Sequence, residues 1–424
     1  MSEKRKSSPP IEYSLLLTAT LCLLAFGVVM VFSASSTTSL LGNSGDGAYY
    51  LKRTVVFGAV GLVVMRLLSV SGLAFVRRTT PLILGIALIA CLAVLMPGIG
   101  IEVNGARRWI GAGFLQIQPS EVLKVALVLY GAAVLTERPK MVRGLRTMVP
   151  YIGVVGIACL IVVAEPDLGT AMVACFAAAA MLIAGGARMR DLGLLAVGLG
   201  AVVLLAVLIE PYRMERLTGF LHPSADPSGA GFQAIQSQIA LGSGGIFGVG
   251  LGESLQKAFY LPEAHTDMIA AVIGEELGMI GMSLLVGLYM LLGYAGFRTA
   301  QKARDRYGRL LAAGLTAMIL VQASINLFAV LGLAPLTGVT LPFVSYGNSS
   351  LIVTLAAVGL LLNIAQGGRA ASTATTRARP LRVVEGGRKP APAKSGGARA
   401  ASGDRSRRDS RARGAGSGSR RRAR

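Results

Sequence analysis

The chain has 424 residues, of which 53% are hydrophobic, with a mean hydropathy of +0.62 and a formal net charge of +21. Soluble domains are about 45–50% apolar, and here the apolar residues fall in runs of about twenty, the length that crosses a bilayer, so a soluble globular enzyme is excluded. The four cysteines, Cys22, Cys91, Cys159 and Cys175, lie inside apolar runs at no metal-ligand spacing, which excludes a disulfide scaffold and a zinc module.

Residues 1–12 form a short basic arm carrying Lys4, Arg5 and Lys6. Leu15 to Phe32 is long enough to span and lacks a small-residue cleavage pattern, so it is expected to stay as a helix rather than be removed as a signal. Ten spans are predicted in all, at about 13–34, 53–70, 80–96, 118–136, 148–165, 168–186, 191–210, 267–297, 309–333 and 344–366. The fold expected is an all-α polytopic membrane protein with a ten-helix domain over 13–367 and a large outer loop, about 210–267, between spans 7 and 8. Residues 368–424 read as a disordered basic tail. From Arg369 onward it carries seventeen Lys/Arg against three Asp/Glu, a net +14, and it has almost no large apolar residues to offset the entropy of ordering.

Orientation follows from the basic residues in short loops. With the N-terminus inside, sixteen Lys/Arg fall on the cytoplasmic side and seven on the other, so both termini are expected in the cytoplasm. The polar motifs then collect on the outer face: Asn104-Gly-Ala-Arg-Arg-Trp-Ile-Gly111, the tight turn Glu165-Pro-Asp-Leu-Gly-Thr170, the 210–267 segment, and Leu341-Pro-Phe-Val-Ser-Tyr-Gly-Asn-Ser-Ser350. A site facing that side is implied.

Asp267 stands where the longest outer segment meets an apolar span. One reading makes it a helix N-terminal carboxylate complementing the dipole, with Thr266 as a cap. The other makes it a general base, since a half-desolvated carboxylate with a raised pKa accepts a proton from a hydroxyl near neutral pH. His265, one of two histidines, either orients a substrate or supplies loop polarity. Glu275 and Glu276 fall inside the following span, where an ionisable group needs a partner, and a structural or coupling role is expected. Glu121 and Lys124, spaced i, i+3, suit an ion pair, with phosphate binding by Lys124 the alternative. Arg107 and Arg108 beside Trp109, the chain's single tryptophan, suit phosphate oxygens at headgroup level, although a plain interfacial anchor also explains the tryptophan. Ser345, in the last outer loop, joins the candidate substrate-binding residues. Gly242-Ser-Gly-Gly-Ile-Phe-Gly-Val-Gly-Leu-Gly252 fits neither the dinucleotide nor the Walker template and reads as a flexible or closely approaching outer segment, expected to move.

Together, Asn104–Gly111, Gln118–Glu121, Glu165–Ala171, Phe232–Ser237 running into Gly242–Gly252, Tyr260–Gly278 and Leu341–Ile352 resemble the SEDS family (shape, elongation, division and sporulation), and the division branch more than the elongation branch. The chain departs from the family's usual pattern at Met268, Ala270 and Asn348. The resemblance implies a plasma-membrane glycosyltransferase that polymerises lipid II, with the essential acid on Asp267 and a tryptophan of importance on Trp109. It also implies a partner transpeptidase, a single-pass class B penicillin-binding protein, and a place at the division septum. An α-linked donor and a β-1,4 product need one inverting displacement and one base. The leaving diphosphate needs positive charge from Arg107, Arg108 or a divalent ion such as Mg²⁺ or Mn²⁺, for which no dedicated site is evident. The alternatives are an elongation-type polymerase, a lipid II flippase, and a scaffold for the transpeptidase. The basic tail suits anionic lipids or acidic division proteins. It lacks the aromatic residues of a nucleic-acid binder, and no nucleic acid is expected.

Overall fold

The computed structural model describes residues 9–41, 45–103, 106–113, 115–209, 211–227, 229, 231–257 and 260–367. The first part of the basic arm, residues 1–8, and the tail, 368–424, lie outside the described residues. Among the described residues ten helices are long and apolar enough to span a membrane. They are α1 (Ile11–Leu41), α2 (Tyr49–Val70), α3 (Leu73–Val94), α4 (Pro119–Glu137), α5 (Leu145–Ala164), α6 (Leu168–Gly185), α7 (Met189–Ile209), α10 (Ile269–Lys302), α11 (Arg306–Val330) and α12 (Asn348–Ala365).

Each has the near-continuous apolar composition that hydrocarbon demands, since every backbone amide there must be satisfied within the segment. Burial then sorts them. In their most apolar stretches α11 and α12 have 78% of residues buried by protein, whereas α7 has none. The core is accordingly built around α11 and α12: α11 packs on α10, α6 and α4, α12 packs on α2, and α1 lies along α10. By contrast α7 makes its main contacts with α8 (Pro211–Leu221), so it stands off the bundle and leaves a gap beside α6 and α11.

The segments expected on the outer side carry more regular structure than their sequence implies. The Arg107–Trp109 segment folds as an antiparallel sheet of β1 (Ile101–Val103), β2 (Ala106–Ala112) and β3 (Leu115–Ile117), in the order β1-β2-β3, with Trp109 opposite Ile101 and Arg107 opposite Glu102. The all-α reading therefore holds for the spans and gains a small sheet between α3 and α4. The 210–267 segment contains α8 (Pro211–Leu221) and α9 (Phe232–Gly244). The loop between α11 and α12 dips into the bundle, with Phe343 and Val344 buried and Phe343 at φ +67°. Gly27 of α1 admits it, because a Cβ there would stand 2.3 Å from the Phe343 carbonyl oxygen. Irregular backbone at that depth is tolerable when enclosed by protein.

Candidate active site

Asp267 sits two residues before Ile269, the first residue of α10, and is half-buried. The helix N-cap is Met268, with no side-chain cap hydrogen bond, so Thr266 does not cap α10. Instead the backbone of Asp267 is clamped. Asn326 of α11 donates from Nδ2 to the Asp267 carbonyl oxygen at 2.7 Å and to the Val339 carbonyl oxygen at 2.8 Å, tying the loop before α10 to the loop after α11. The carboxyl itself has the Thr266 hydroxyl 3.3 Å from Oδ1, and Gly338 leaves space beside Oδ2, where even a Cβ would be 3.9 Å away. Burial, and then the negative Glu263, push the Asp267 carboxyl up to about 6, against the opposing pull of Arg216.

His265 is held beside this carboxylate by aromatic contacts. Its ring lies 4.3 Å from that of Tyr50 and 5.6 Å from that of Tyr346, and its carbonyl oxygen accepts from the Tyr346 N–H at 2.9 Å. Burial lowers its pKa, which favours the neutral imidazole. Ser345 is turned inward: its Oγ accepts from the Leu341 N–H at 2.8 Å and closes the turn at the base of the last outer loop.

The two adjacent arginines part company, because successive residues of a strand point to opposite faces. Arg107 is exposed and pairs with Glu102 at 3.2 Å. Arg108 is half-buried and reaches the Glu165 carbonyl oxygen at 3.2 Å and also the Pro166 carbonyl oxygen, so its guanidinium stands over the entrance to α6. There Asp167 caps α6, accepting from the Thr170 N–H at 3.0 Å and from Gln118 Nε2 at 2.9 Å. Burial pushes Glu165 up to about 8, which keeps it mainly neutral at pH 7. Trp109 is half-buried within the sheet, while Asn104 and Gly105 of the same motif lie outside the described residues.

Glu275 and Glu276 are both buried and both partnered. Glu275 accepts from the Leu255 N–H at 3.0 Å and from the Ser254 hydroxyl. Glu276 meets Lys257 Nζ at 2.8 Å and the Ser33 hydroxyl of α1 at 2.6–2.7 Å. These contacts pin the glycine-rich segment against a break in α10 at Gly278, which has φ +62° and ψ −157°. The Gly250 N–H donates to the Glu276 carbonyl oxygen at 3.1 Å, and the Met279 N–H donates to the Gly245 carbonyl oxygen at 3.0 Å. The close approach anticipated for this segment is present, and its backbone is hydrogen-bonded into the bundle. Glu121 and Lys124 form a buried pair at 2.9 Å, and Gln322 of α11 accepts a further hydrogen bond from Lys124 at 2.8 Å.

Two cavities adjoin the site. One, of about 580 Å³, is an apolar groove between α6, α7 and α11 with Arg108 and Arg216 at its rim. The other, of about 280 Å³, is more polar and lies between α8, α9 and the turn after α11. Arg216 of α8 borders both, held by a 3.0 Å hydrogen bond from its guanidinium to the Leu336 carbonyl oxygen. Asn326, Gln322 and Arg216 were not among the sequence candidates. The first two carried a usable signal, a polar i, i+4 pair within an otherwise apolar helix. As for a metal, no group of three or more His, Cys, Asp or Glu fit to hold an ion is found among the described residues. The cationic side chains at the rim of the larger cavity are Arg108 and Arg216.

Ten apolar helices long enough to span, packed into one bundle, define a polytopic membrane protein. Residues 13–370 match the family model described as "Cell cycle protein" and labelled by FtsW, RodA and SpoVE, and the chain belongs to that family, the SEDS family. The stage V sporulation protein E of Bacillus subtilis is 43% identical over 369 residues, 86% of this chain and 99% of that protein. A probable peptidoglycan glycosyltransferase FtsW of Trichlorobacter lovleyi is likewise 43% identical, over 86% of this chain and 96% of its own. Among solved structures, one described as "Structural coordination of polymerization and crosslinking by a peptidoglycan synthase complex" matches with TM-score 0.65 and 31% identity, covering 82% of this chain and 96% of that one. Thermus thermophilus rod shape determining protein RodA matches with TM-score 0.61 and 29% identity, over 82% and 95% of the two chains.

Proposed function

We propose that this chain is a peptidoglycan glycosyltransferase that polymerises lipid II in the plasma membrane, in the division role of its FtsW relatives. The observation that carries the reading is Asp267: a half-buried carboxyl, raised to about 6, fixed by Asn326 and open on its Gly338 side. A base with a pKa near working pH combines ionisation with proton affinity. In the displacement, the acceptor's sugar hydroxyl oxygen bonds to the donor's anomeric carbon while the bond from that carbon to the diphosphate oxygen breaks. The hydroxyl proton passes to Asp267, and the electron pair leaves with the lipid diphosphate. Charge accumulates on that leaving group, and preorganised cations lower the barrier by meeting it. Trp109, His265, Lys124 and Ser345 frame the substrate region, with Lys124 acting through its buried pair. Glu275 and Glu276 hold the loop that leads to Asp267.

The same reading places both termini in the cytoplasm, the protein at the division septum, and a single-pass class B penicillin-binding protein beside it. The outer site delivers fresh strands to the side on which a transpeptidase works. The basic tail is assigned to contacts with anionic lipids or acidic division proteins.

The test is polymerisation of purified lipid II in detergent, with the partner transpeptidase present, by the wild type, Asp267→Asn and Asp267→Ala, with folding verified. Polymer from the wild type alone is expected. Polymer from all three removes Asp267 as the base, and polymer from none favours the flippase and scaffold readings.

A further inference from the structure

Among the described residues Arg216 is the cation that borders both cavities, and the walls on its two sides differ in chemistry. On one side the groove is lined by Met172 and Phe176 of α6, Val203 and Leu204 of α7, and Ile325 and Phe328 of α11. On the other, Gln233 and Gln238 supply amides, and Phe220 and Phe232 supply ring faces beside Glu215. Amides with aromatic rings suit a sugar, whereas an apolar groove suits a hydrocarbon chain. Between them stands a guanidinium with one arm fixed on Leu336, in reach of the Asp267 field, and with Arg108 along the same rim.

We infer that Arg216 grips the diphosphate of the lipid-linked sugar donor, whose prenyl tail lies in the α6/α7/α11 groove and whose sugar enters the chamber between α8 and α9. The inference rests on the polymerase reading above and assigns the donor to one track. A planar fork matches phosphate oxygens as a bidentate donor, which a lysine cannot do. The position of Arg216 also relates binding to chemistry. Arg216 is near enough to Asp267 to lower the pKa of its carboxyl, so a cation that holds the donor there also meets the charge that develops as the bond breaks. The standing-off of α7 supplies the route: a tail slides in laterally from the bilayer without the bundle having to part.

The experiment measures binding of two probes, undecaprenyl diphosphate and lipid II, to detergent-solubilised full-length protein, for the wild type, Arg216→Gln, Arg216→Lys, Gln238→Leu, Val203→Trp and Asp267→Asn. Hydrogen bonds to charged groups contribute about 1.5–3 kcal/mol, so Arg216→Gln is expected to weaken both probes on the order of ten- to a hundredfold. Arg216→Lys is expected to recover part of that loss. Gln238→Leu is expected to weaken lipid II but not the sugarless probe, and Val203→Trp to weaken both by filling the groove. Asp267→Asn, which takes a negative charge away from the field around Arg216, is expected to bind both at least as tightly as the wild type does.

Wild-type affinity in Arg216→Gln overturns the inference. So does equal loss of both probes in Gln238→Leu. If Arg216→Gln does not fold, Val203→Trp, on the lipid-facing helix, decides: unchanged binding there overturns the groove assignment. Normal polymerisation with Arg216-independent binding sinks the donor track alone. Absent polymerisation with Arg216-dependent binding sinks the polymerase reading while leaving the ligand track intact.

Discussion

Lys257 Nζ lies 2.8 Å from Glu276 Oε1 with the two side chains 4% and 0% exposed, and the ammonium's other donors go to the Gly252 carbonyl oxygen at 2.7 Å and to Ser33 Oγ at 3.3 Å. One fully satisfied charge pair thus joins α1, the glycine-rich segment and the broken part of α10. Removing a single partner strands the other charge in a dry site, which costs about 3–5 kcal/mol, whereas replacing both by apolar residues is often close to neutral. Lys257→Met and Glu276→Leu are each expected to lower the melting temperature strongly, and the double variant to recover most of the loss. Thermal unfolding in detergent checks this. Additive losses in the double variant would show that the pair is not a unit.

The pH dependence follows from Asp267. A base must be ionised, and its pKa is about 6, so the polymerisation rate is expected to rise with pH on a limb centred near 6 and then level off. Arg216 pulls that pKa down. Arg216→Gln is therefore expected to move the limb to higher pH as well as to reduce the rate. A limb that stays in place would separate Arg216 from the base.

The same shift has a stability consequence of definite sign. A carboxyl with a raised folded-state pKa contributes stability that is fully present below its unfolded value, near 4, and is lost as pH rises through about 6. Asp267→Asn removes that loss. It is expected to be more stable than the wild type by about 1–3 kcal/mol at pH 8 and to converge with it toward pH 4. Melting curves of the two proteins across that range check the prediction. A variant less stable than the wild type at pH 8 would mean that the ionised carboxylate is held by favourable contacts.

Much of this was readable in the chain because a bilayer imposes so few solutions. The ten spans could be counted from apolar runs, and Asp267 stood out because a carboxylate at the edge of hydrocarbon needs a reason to be there. The pairing of Glu276 was less legible, since Lys257 is nineteen residues away and Ser33 is on the first helix. Neither spacing nor periodicity relates them. The 101–117 segment reads as a loop in the sequence because its strands are only three to seven residues long. Its alternation nevertheless decides that Arg107 and Arg108 do different things. Arg216 escaped notice for a similar reason, as one charge among several on an amphipathic outer helix whose importance comes from the two cavities that the fold brings to it.

The glycine-rich segment yields a prediction opposite to mobility. Gly248 has φ +80°, and a Cβ on it would stand 2.1 Å from the Glu276 carbonyl oxygen. Both the conformation and the contact exclude a side chain. Gly248→Ala is expected to push the segment off the α10 break and disturb the Lys257–Glu276 pair, with a stability loss of about 2 kcal/mol or more. Gly242→Ala, where nothing lies within 4 Å, is the control and is expected to cost less than half as much. Equal effects of the two would indicate that close packing is not what the glycines serve.

Asn326 provides the sharpest separation of positioning from chemistry. Its amide donates to the Asp267 and Val339 carbonyl oxygens, touching neither the carboxylate nor any substrate path through the two cavities. Without it the junction before α10 loses the clamp that fixes the carboxyl relative to the last outer loop, and a displacement of about 1 Å costs on the order of a hundredfold in rate. Asn326→Leu is expected to lower the polymerisation rate by that order while undecaprenyl diphosphate binding and the pH limb near 6 stay close to those of the wild type. Asn326→Asp, which cannot donate when ionised, is expected to fare no better, and Asn326→Gln, which retains the amide at a longer reach, to recover part of the rate. Loss of lipid binding in Asn326→Leu would instead place this residue in the substrate's own site.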